Sequence, residues 1–166
     1  MRIVLYPDPV LLRRAVEVQP GDAEVAALAA EMVRVMKEAR GVGLAAPQVG
    51  RSVRVFVASE SGEPEHALVC VNPVLETSGA LVAMEEGCLS LPGLLAEVQR
   101  PERARLRAFD AQGAPFELEA EGLLARILQH EMDHLDGVLF VERTSPADRV
   151  RLRPDLKAFE EQYRPA

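Results

Sequence analysis

The residues with the clearest chemistry are His130, Glu131 and His134, which form a His-Glu-x-x-His pattern. On a helix, histidines at this spacing lie on one face, so two imidazoles can bind one metal ion while the glutamate faces the adjoining space. Because the chain has only three histidines, a chance match is rare. The pattern predicts a metal site for hydrolysis. Asp133 faces elsewhere, either to orient a neighbouring group or to form a surface ion pair.

A hydrolytic metal site needs a third protein ligand, because catalytic zinc sites use three and leave one position open. One candidate is Cys88, which has glycines on either side and a proline nearby in the segment 84–93. Such flanks predict a bent backbone that can bring a thiolate and free N–H groups into a site. The other candidates are acidic residues after the helix, such as Glu142, Glu160 and Glu161. Sequence distance does not choose between them.

The second cysteine, Cys70, lies in the apolar run 67–71. This run predicts a buried strand in which the cysteine is a small core residue. Two cysteines without a signal peptide do not indicate a disulfide scaffold. We therefore expect Cys70 to pack rather than to react.

A third segment, GVGLAAPQVG at 41–50, is too rich in small residues to be an ordinary helix interior. Together with EGCLS at 86–90 and QHEMDH at 129–134, in this order, it resembles the three signature motifs of the peptide deformylase family. The resemblance covers nearly the whole chain, from LYPDPVL at 5–11 onward, and is least specific after about residue 141.

The resemblance implies removal of the formyl group from the N-terminal formyl-methionine of newly made polypeptides, with release of formate. It implies metal ligation by Cys88, His130 and His134. Glu131 would be the catalytic base and acid, and the formyl oxygen would be bound by Gln48 and the N–H of Leu89. The methionine pocket would be lined by Val42, Gly43, Glu86, Leu123 and Ile127, with Arg100 paired to Glu86.

The resemblance also implies one divalent metal, Fe²⁺ in cells, with Zn²⁺, Ni²⁺ or Co²⁺ in purified protein, since this ligand set does not discriminate sharply among them. Two other functions are open at this point. One is a zinc metalloprotease with a downstream acidic ligand such as Glu160. The other is a noncatalytic binding protein, which would be expected to have lost a ligand or Glu131; neither loss is seen.

The composition limits the partners and the cellular location that we expect for the chain. The net charge of −7 disfavours DNA and other broad nucleic-acid binding. No apolar run approaches the roughly 20 residues of a membrane span, and the N-terminus resembles neither a signal nor a transit peptide. We expect a cytoplasmic enzyme that acts on formyl-methionyl nascent peptides, without a membrane partner. The charged segment 146–166 is expected to be a solvated amphipathic helix, with ribosome contact as the alternative.

The elements that must position these residues follow from apolar periodicity and turn signals. Three helices are predicted: the first at 23–40, with Asp22 as its cap, the second around the metal motif, and the third at 146–163. Strands are predicted at 53–58, 67–71, 104–109, 115–120 and near 138–141. The pattern predicts an α+β fold in one domain, 1–166, with a buried central helix that carries the metal motif between an N-terminal and a C-terminal helix. The resemblance adds small antiparallel sheets packed around that helix.

Overall fold

Three α-helices and five β-strands make up the regular structure of residues 1–165, which a computed structural model describes. The helices are α1 (Ala23–Glu38), α2 (Gly122–Leu135) and α3 (Pro146–Gln162). The strands are β1 (Gly43–Ala45), β2 (Val55–Ala58), β3 (Leu68–Cys88), β4 (Leu91–Phe109) and β5 (Pro115–Glu121). Ala166, the last residue of the expected domain, lies outside the described residues. The predicted α+β class is confirmed.

The five strands form one antiparallel sheet in the order β1-β2-β3-β4-β5, rather than several small sheets. The strands β3 and β4 are long enough to join β2 and β5 at one end and to form an extended hairpin at the other. Register shifts interrupt their pairing at three places, and such bulges bend strands. Cys88 pairs with Leu91 at the hairpin tip, so the predicted thiolate ligand ends β3.

Helix α1 begins after Asp22, whose side chain accepts a hydrogen bond from the backbone N–H of Glu24. Its apolar face packs on the sheet through residues such as Met32 and Met36. The helix ends before the predicted Arg40, because Arg40 adopts a left-handed φ of 58° and leads into the glycine-rich segment. The cap confirms the predicted start, and the turn at Arg40 leads into β1 of the sheet.

Helix α2 carries the metal motif and packs its buried residues Ala125, Leu128 and Leu135 against the sheet. Cys70 on β3 is fully buried in the same cluster, as predicted. Burial raises the pKa of the Cys70 thiol, which leaves it protonated and unreactive. The motif helix is therefore fixed by core packing on one side and free to present side chains on the other.

The segment after α2 differs from the prediction. Residues Phe140–Arg143 form a 3-10 turn instead of the strand expected near 138–141. Leu139 and Phe140 are buried in the core against β4, and a short buried apolar run does not reveal its backbone conformation. Helix α3 follows as predicted and buries only Leu152 among its side chains. Within residues 1–165, no helix combines the length and apolar character needed to cross a membrane.

Candidate metal centre

The three predicted ligands meet where the tip of the β3–β4 hairpin contacts α2. Cys88, His130 and His134 each offer a ligand atom, and these atoms lie within 4.8 Å of one another. The Cys88 Sγ is 3.4 Å from Nε2 of His134, and the two imidazole centroids are 5.1 Å apart. A thiolate and two imidazoles at this separation form a suitable donor set for a divalent transition metal.

Two buried side-chain atoms at this centre, Oε2 of Glu131 and Nδ1 of His134, have no hydrogen-bond partner among the described residues. Buried polar atoms in folded proteins are nearly always paired. The unpaired Glu131 oxygen beside three metal-ligating side chains fits a centre that is completed by a bound group. The donor set and this unpaired oxygen together fit a metal ion, which Nε2 of His134, the ring nitrogen that faces Cys88, could bind.

Burial shifts the pKa values of the two imidazoles in different ways. Burial and the positive charge of His130 hold the pKa of His134 well below its usual value. Burial by itself lowers the pKa of His130, but hydrogen bonds with Cys88 and Glu86 outweigh it and raise that pKa to about 10. Because imidazole binds a metal in its neutral form, metal binding here would release a proton from His130.

Glu131 is almost fully buried beside the ligands. Burial raises the pKa of its carboxyl to about 7, although the positive charge of His130 opposes the shift. A carboxyl that titrates near neutrality can both accept and return a proton under physiological conditions. Its position between the ligand histidines on α2 matches the predicted base.

Glu86 contacts the Nδ1 nitrogen of His130. Its Oε1 lies 2.9 Å from Nδ1 of His130, and Arg100 donates to both of its oxygens at 2.7 and 3.0 Å. The expected pairing of Arg100 with Glu86 is confirmed. Burial favours a higher pKa for Glu86, but hydrogen bonds from His130 and Arg100 lower it to about 2. The ionised carboxylate can fix the ring orientation of His130, as acidic partners of metal-bound histidines do.

Asp133 extends this network away from the ligands. It accepts a hydrogen bond from Nη1 of Arg100 at 3.0 Å and two from Arg143 at 3.0 and 3.2 Å. The Arg143 side chain is half-exposed. Asp133 therefore combines both roles expected from the sequence, since it supports Arg100 and also forms an ion pair at the surface.

Gln48 approaches the centre from the 3-10 turn that follows β1. Its Oε1 accepts a hydrogen bond from the backbone of Ala45 at 3.0 Å. Its Nε2 lies 3.2 Å from the hydroxyl of Ser90 and 3.5 Å from the Cys88 sulfur. The side-chain amide is thus anchored at its oxygen and directs its nitrogen toward the ligands. Ser90 therefore helps to hold this amide.

A cleft of about 480 Å³ opens over the centre. All five predicted pocket residues line it, namely Val42, Gly43, Glu86, Leu123 and Ile127. The predicted donor residues Gln48 and Leu89 and the predicted base Glu131 line it as well. Further apolar residues of the wall were not predicted, among them Met84, Leu94 and Leu95. They lie on the parts of β3 and β4 that were not predicted to be strands. The apolar lining suits an unbranched, uncharged side chain.

The acidic residues considered as alternative ligands lie elsewhere. Glu160 on α3 accepts a hydrogen bond from the Tyr6 hydroxyl at 2.6 Å. Within residues 1–165, the one metal-ligating group is the set of Cys88, His130 and His134, to which neither Glu142 nor Glu161 belongs. A protease site with a downstream acidic ligand is therefore not favoured.

Comparisons with known proteins point to one family. A family model described as polypeptide deformylase matches residues 1–150. A peptide deformylase of Alkalilimnicola ehrlichii is 46% identical over 164 residues, which span 98% of this chain and 92% of that protein. The crystal structure of peptide deformylase from Thermus thermophilus matches with a TM-score of 0.90 and 46% identity over 98% of both chains. Peptide deformylase 1B of Arabidopsis thaliana, solved with an inhibitor, gives a TM-score of 0.94 and 42% identity over 98% of this chain and 92% of that chain.

Proposed function

The chain belongs to the polypeptide deformylase family, and on this premise we propose how its own residues carry out the reaction. The enzyme is a hydrolase that removes the formyl group from nascent peptides, and its family is metal-dependent. The observation that carries the proposal is the convergence of Cys88, His130 and His134 beside Glu131 in one apolar cleft.

Cys88, His130 and His134 would hold one divalent metal, Fe²⁺ in cells and Zn²⁺, Ni²⁺ or Co²⁺ in purified protein. The bound ion would supply a Lewis acid and lower the pKa of water from about 15.7 toward 7. The hydrogen bond between Nδ1 of His130 and Glu86 assigns the proton to Nδ1 and leaves Nε2 for the metal.

Glu131 holds and moves the proton. Its carboxylate accepts a proton from the water that attacks the formyl carbon. It then delivers that proton to the amino-terminal nitrogen of methionine as the bond between this nitrogen and the formyl carbon breaks. The proton is needed because an amine is a poor leaving group as an anion. The products are formate and a free amino terminus. A pKa raised to about 7 by burial suits both halves of this transfer.

Gln48 and the backbone N–H of Leu89 stabilise the formyl oxygen as it gains negative charge. The bonds that Gln48 makes with Ala45 and Ser90 hold its amide in place before substrate arrives. Donors that are already oriented stabilise a developing charge without reorganisation at the moment of reaction. Val42, Leu123 and Ile127 then bind the methionine side chain in the apolar part of the cleft.

We place the reaction in the cytoplasm, on formyl-methionyl chains that emerge during synthesis. Helix α3 exposes basic side chains such as Arg153 and Lys157, which support contact with the ribosome as a secondary proposal. Salt-sensitive cosedimentation with ribosomes that is lost in Arg153→Glu/Lys157→Glu supports this contact. Unchanged cosedimentation leaves α3 as a solvated helix.

Formate release from formyl-Met-Ala-Ser by metal-loaded protein tests the proposed function. The wild type is expected to release formate, whereas Glu131→Gln should lower kcat by at least about a hundredfold and keep its metal. Glu161→Gln, an exposed glutamate on α3, is the matched control and should behave as the wild type. No formate from the metal-loaded wild type would overturn the proposal.

A further inference from the structure

One buried arginine at the centre has no role in the reaction described above. Arg126 lies four residues before His130 on α2, so both side chains share a helix face. Its Nη1 donates to Oε2 of Glu86 at 2.5 Å. The same guanidinium donates to the backbone oxygens of Val98 at 3.0 Å and Val82 at 2.6 Å. Arg126 is 7% exposed, and a buried guanidinium is stable only when its donors are paired.

The contact with Arg126 completes the hydrogen bonding of Glu86. Oε1 of Glu86 is shared by His130 and Nη2 of Arg100, and Oε2 is shared by Nε of Arg100 and Nη1 of Arg126. A carboxylate has about four lone-pair sites. With all of them occupied, the Glu86 carboxylate is held in the orientation that faces His130.

Arg126 also joins the two parts of the chain that carry the ligands. Val82 lies on β3 and Val98 on β4, so one guanidinium bonds to both strands of the hairpin. That hairpin ends at Cys88, while His130 and His134 lie on the same helix as Arg126. The guanidinium of arginine presents five N–H donors in a wide, fixed plane, whereas the ammonium of lysine presents three donors from a single nitrogen.

We propose that Arg126 is a positioning residue, which strengthens metal binding by holding the Glu86 carboxylate against His130. The inference rests on the proposed metal site. A purely structural arginine would tie the hairpin to α2 and act independently of Glu86. The two roles differ in whether the effect of losing Arg126 requires the carboxylate of Glu86.

A double-mutant cycle separates these roles. The variants are Arg126→Met, Glu86→Gln and their combination, and the readout is the dissociation constant for Zn²⁺ measured by competition with a chelator. Arg126→Met is expected to weaken zinc binding about tenfold when Glu86 is present. In the Glu86→Gln background, the same substitution should change zinc affinity less than about twofold. Arg105→Met, which removes an exposed arginine from β4, is the matched control.

The loss of zinc affinity caused by Arg126→Met is compared with Glu86 present and in the Glu86→Gln background. A loss at least about threefold larger with Glu86 present supports the proposal, and a smaller difference overturns it. If Arg126→Met does not fold, Arg126→Gln, which also removes the positive charge that faces Glu86, takes its place in the same cycle. The zinc measurement needs no turnover, so it tests Arg126 even in a protein that releases no formate. An absence of formate release would count against the proposed function, whereas an absence of coupling counts only against Arg126.

Discussion

The carboxylate of Glu131 lies against the backbone of Gly43. A Cβ placed on Gly43 would come within 2.8 Å of Oε2 and 2.9 Å of Cδ of Glu131. Contacts this short force one group to move, and Glu131 is buried on α2 with little room to yield. The glycine in the first motif is therefore required by the position of the base in the third motif.

Gly43→Ala is expected to displace the Glu131 carboxylate and to lower kcat by about a hundredfold, since an ångström of misplacement can cost that much. Formate release under saturating substrate measures the effect, and the metal content should remain that of the wild type because no ligand is touched. Gly41→Ala is the matched control. Its Cβ would come closest to the flexible tip of Leu89, at 3.0 Å, and would meet other atoms only at 3.6 Å or more. An equal loss in both variants would contradict this explanation.

Gln48→Ala is expected to lower kcat by about a hundredfold or more, because it removes one of two donors to the formyl oxygen. Ser90→Ala removes only the hydroxyl that holds the Gln48 amide and should have a smaller effect. Steady-state formate release by both variants measures the order. A larger loss in Ser90→Ala than in Gln48→Ala would show that the amide is not the donor.

The two cysteines should respond differently to substitution. Cys88→Ala removes a ligand and should weaken metal binding by more than about a hundredfold, beyond what loss of an outer partner does. Cys70→Ala leaves the centre intact and should lower the free energy of unfolding by about 1 kcal/mol, because Cys70 is fully buried in the core. Metal content and urea unfolding distinguish the two effects. Retained metal affinity in Cys88→Ala would argue for another third ligand.

Residues with a strong local signal could be predicted from the sequence. The spacing of His130 and His134 predicts a helix, and Asp22 marks the start of another. Most of the β3–β4 hairpin carries no such signal, because residues 76–85 are exposed on both sides of the strand and lack apolar alternation. Residues that act through contacts distant in sequence are missed for a second reason, because local patterns do not show which segments pack together.

Arg126 illustrates this second limit. Its spacing from His130 places it on the ligand face of α2, which is a signal that sequence reasoning could have used. Its partners Val82 and Val98, however, lie on a hairpin that the sequence pattern does not predict. The pairing of Arg100 with Glu86 was expected only from the family resemblance, and the extension to Asp133 and Arg143 required the structure.

The network around Glu86 makes the stability of the metal-free protein depend on pH. In the folded chain, hydrogen bonds from His130 and Arg100 overcome burial and lower the pKa of Glu86 from 4.5 to about 2. A carboxyl with a lowered folded-state pKa contributes stability that is fully present above its unfolded pKa. This contribution is lost as the pH falls from 4.5 toward 2, the two values that bound the shift.

Glu86→Gln should therefore be less stable than the wild type at pH 6, by on the order of 3 kcal/mol, and the difference should shrink as the pH is lowered to about 3. An unfolded histidine, with a pKa of about 6.5, is mostly protonated in this range. The pKa of His130 in the folded chain is raised to about 10, so His130 adds little to the change. Urea unfolding in a chelating buffer measures the difference at each pH. Glu117→Gln, which removes the exposed partner of Arg105, is the control and should show no such convergence with the wild type. A difference between Glu86→Gln and the wild type that stays constant from pH 6 to about 3 would mean that Glu86 stabilises the fold through packing rather than through its charge.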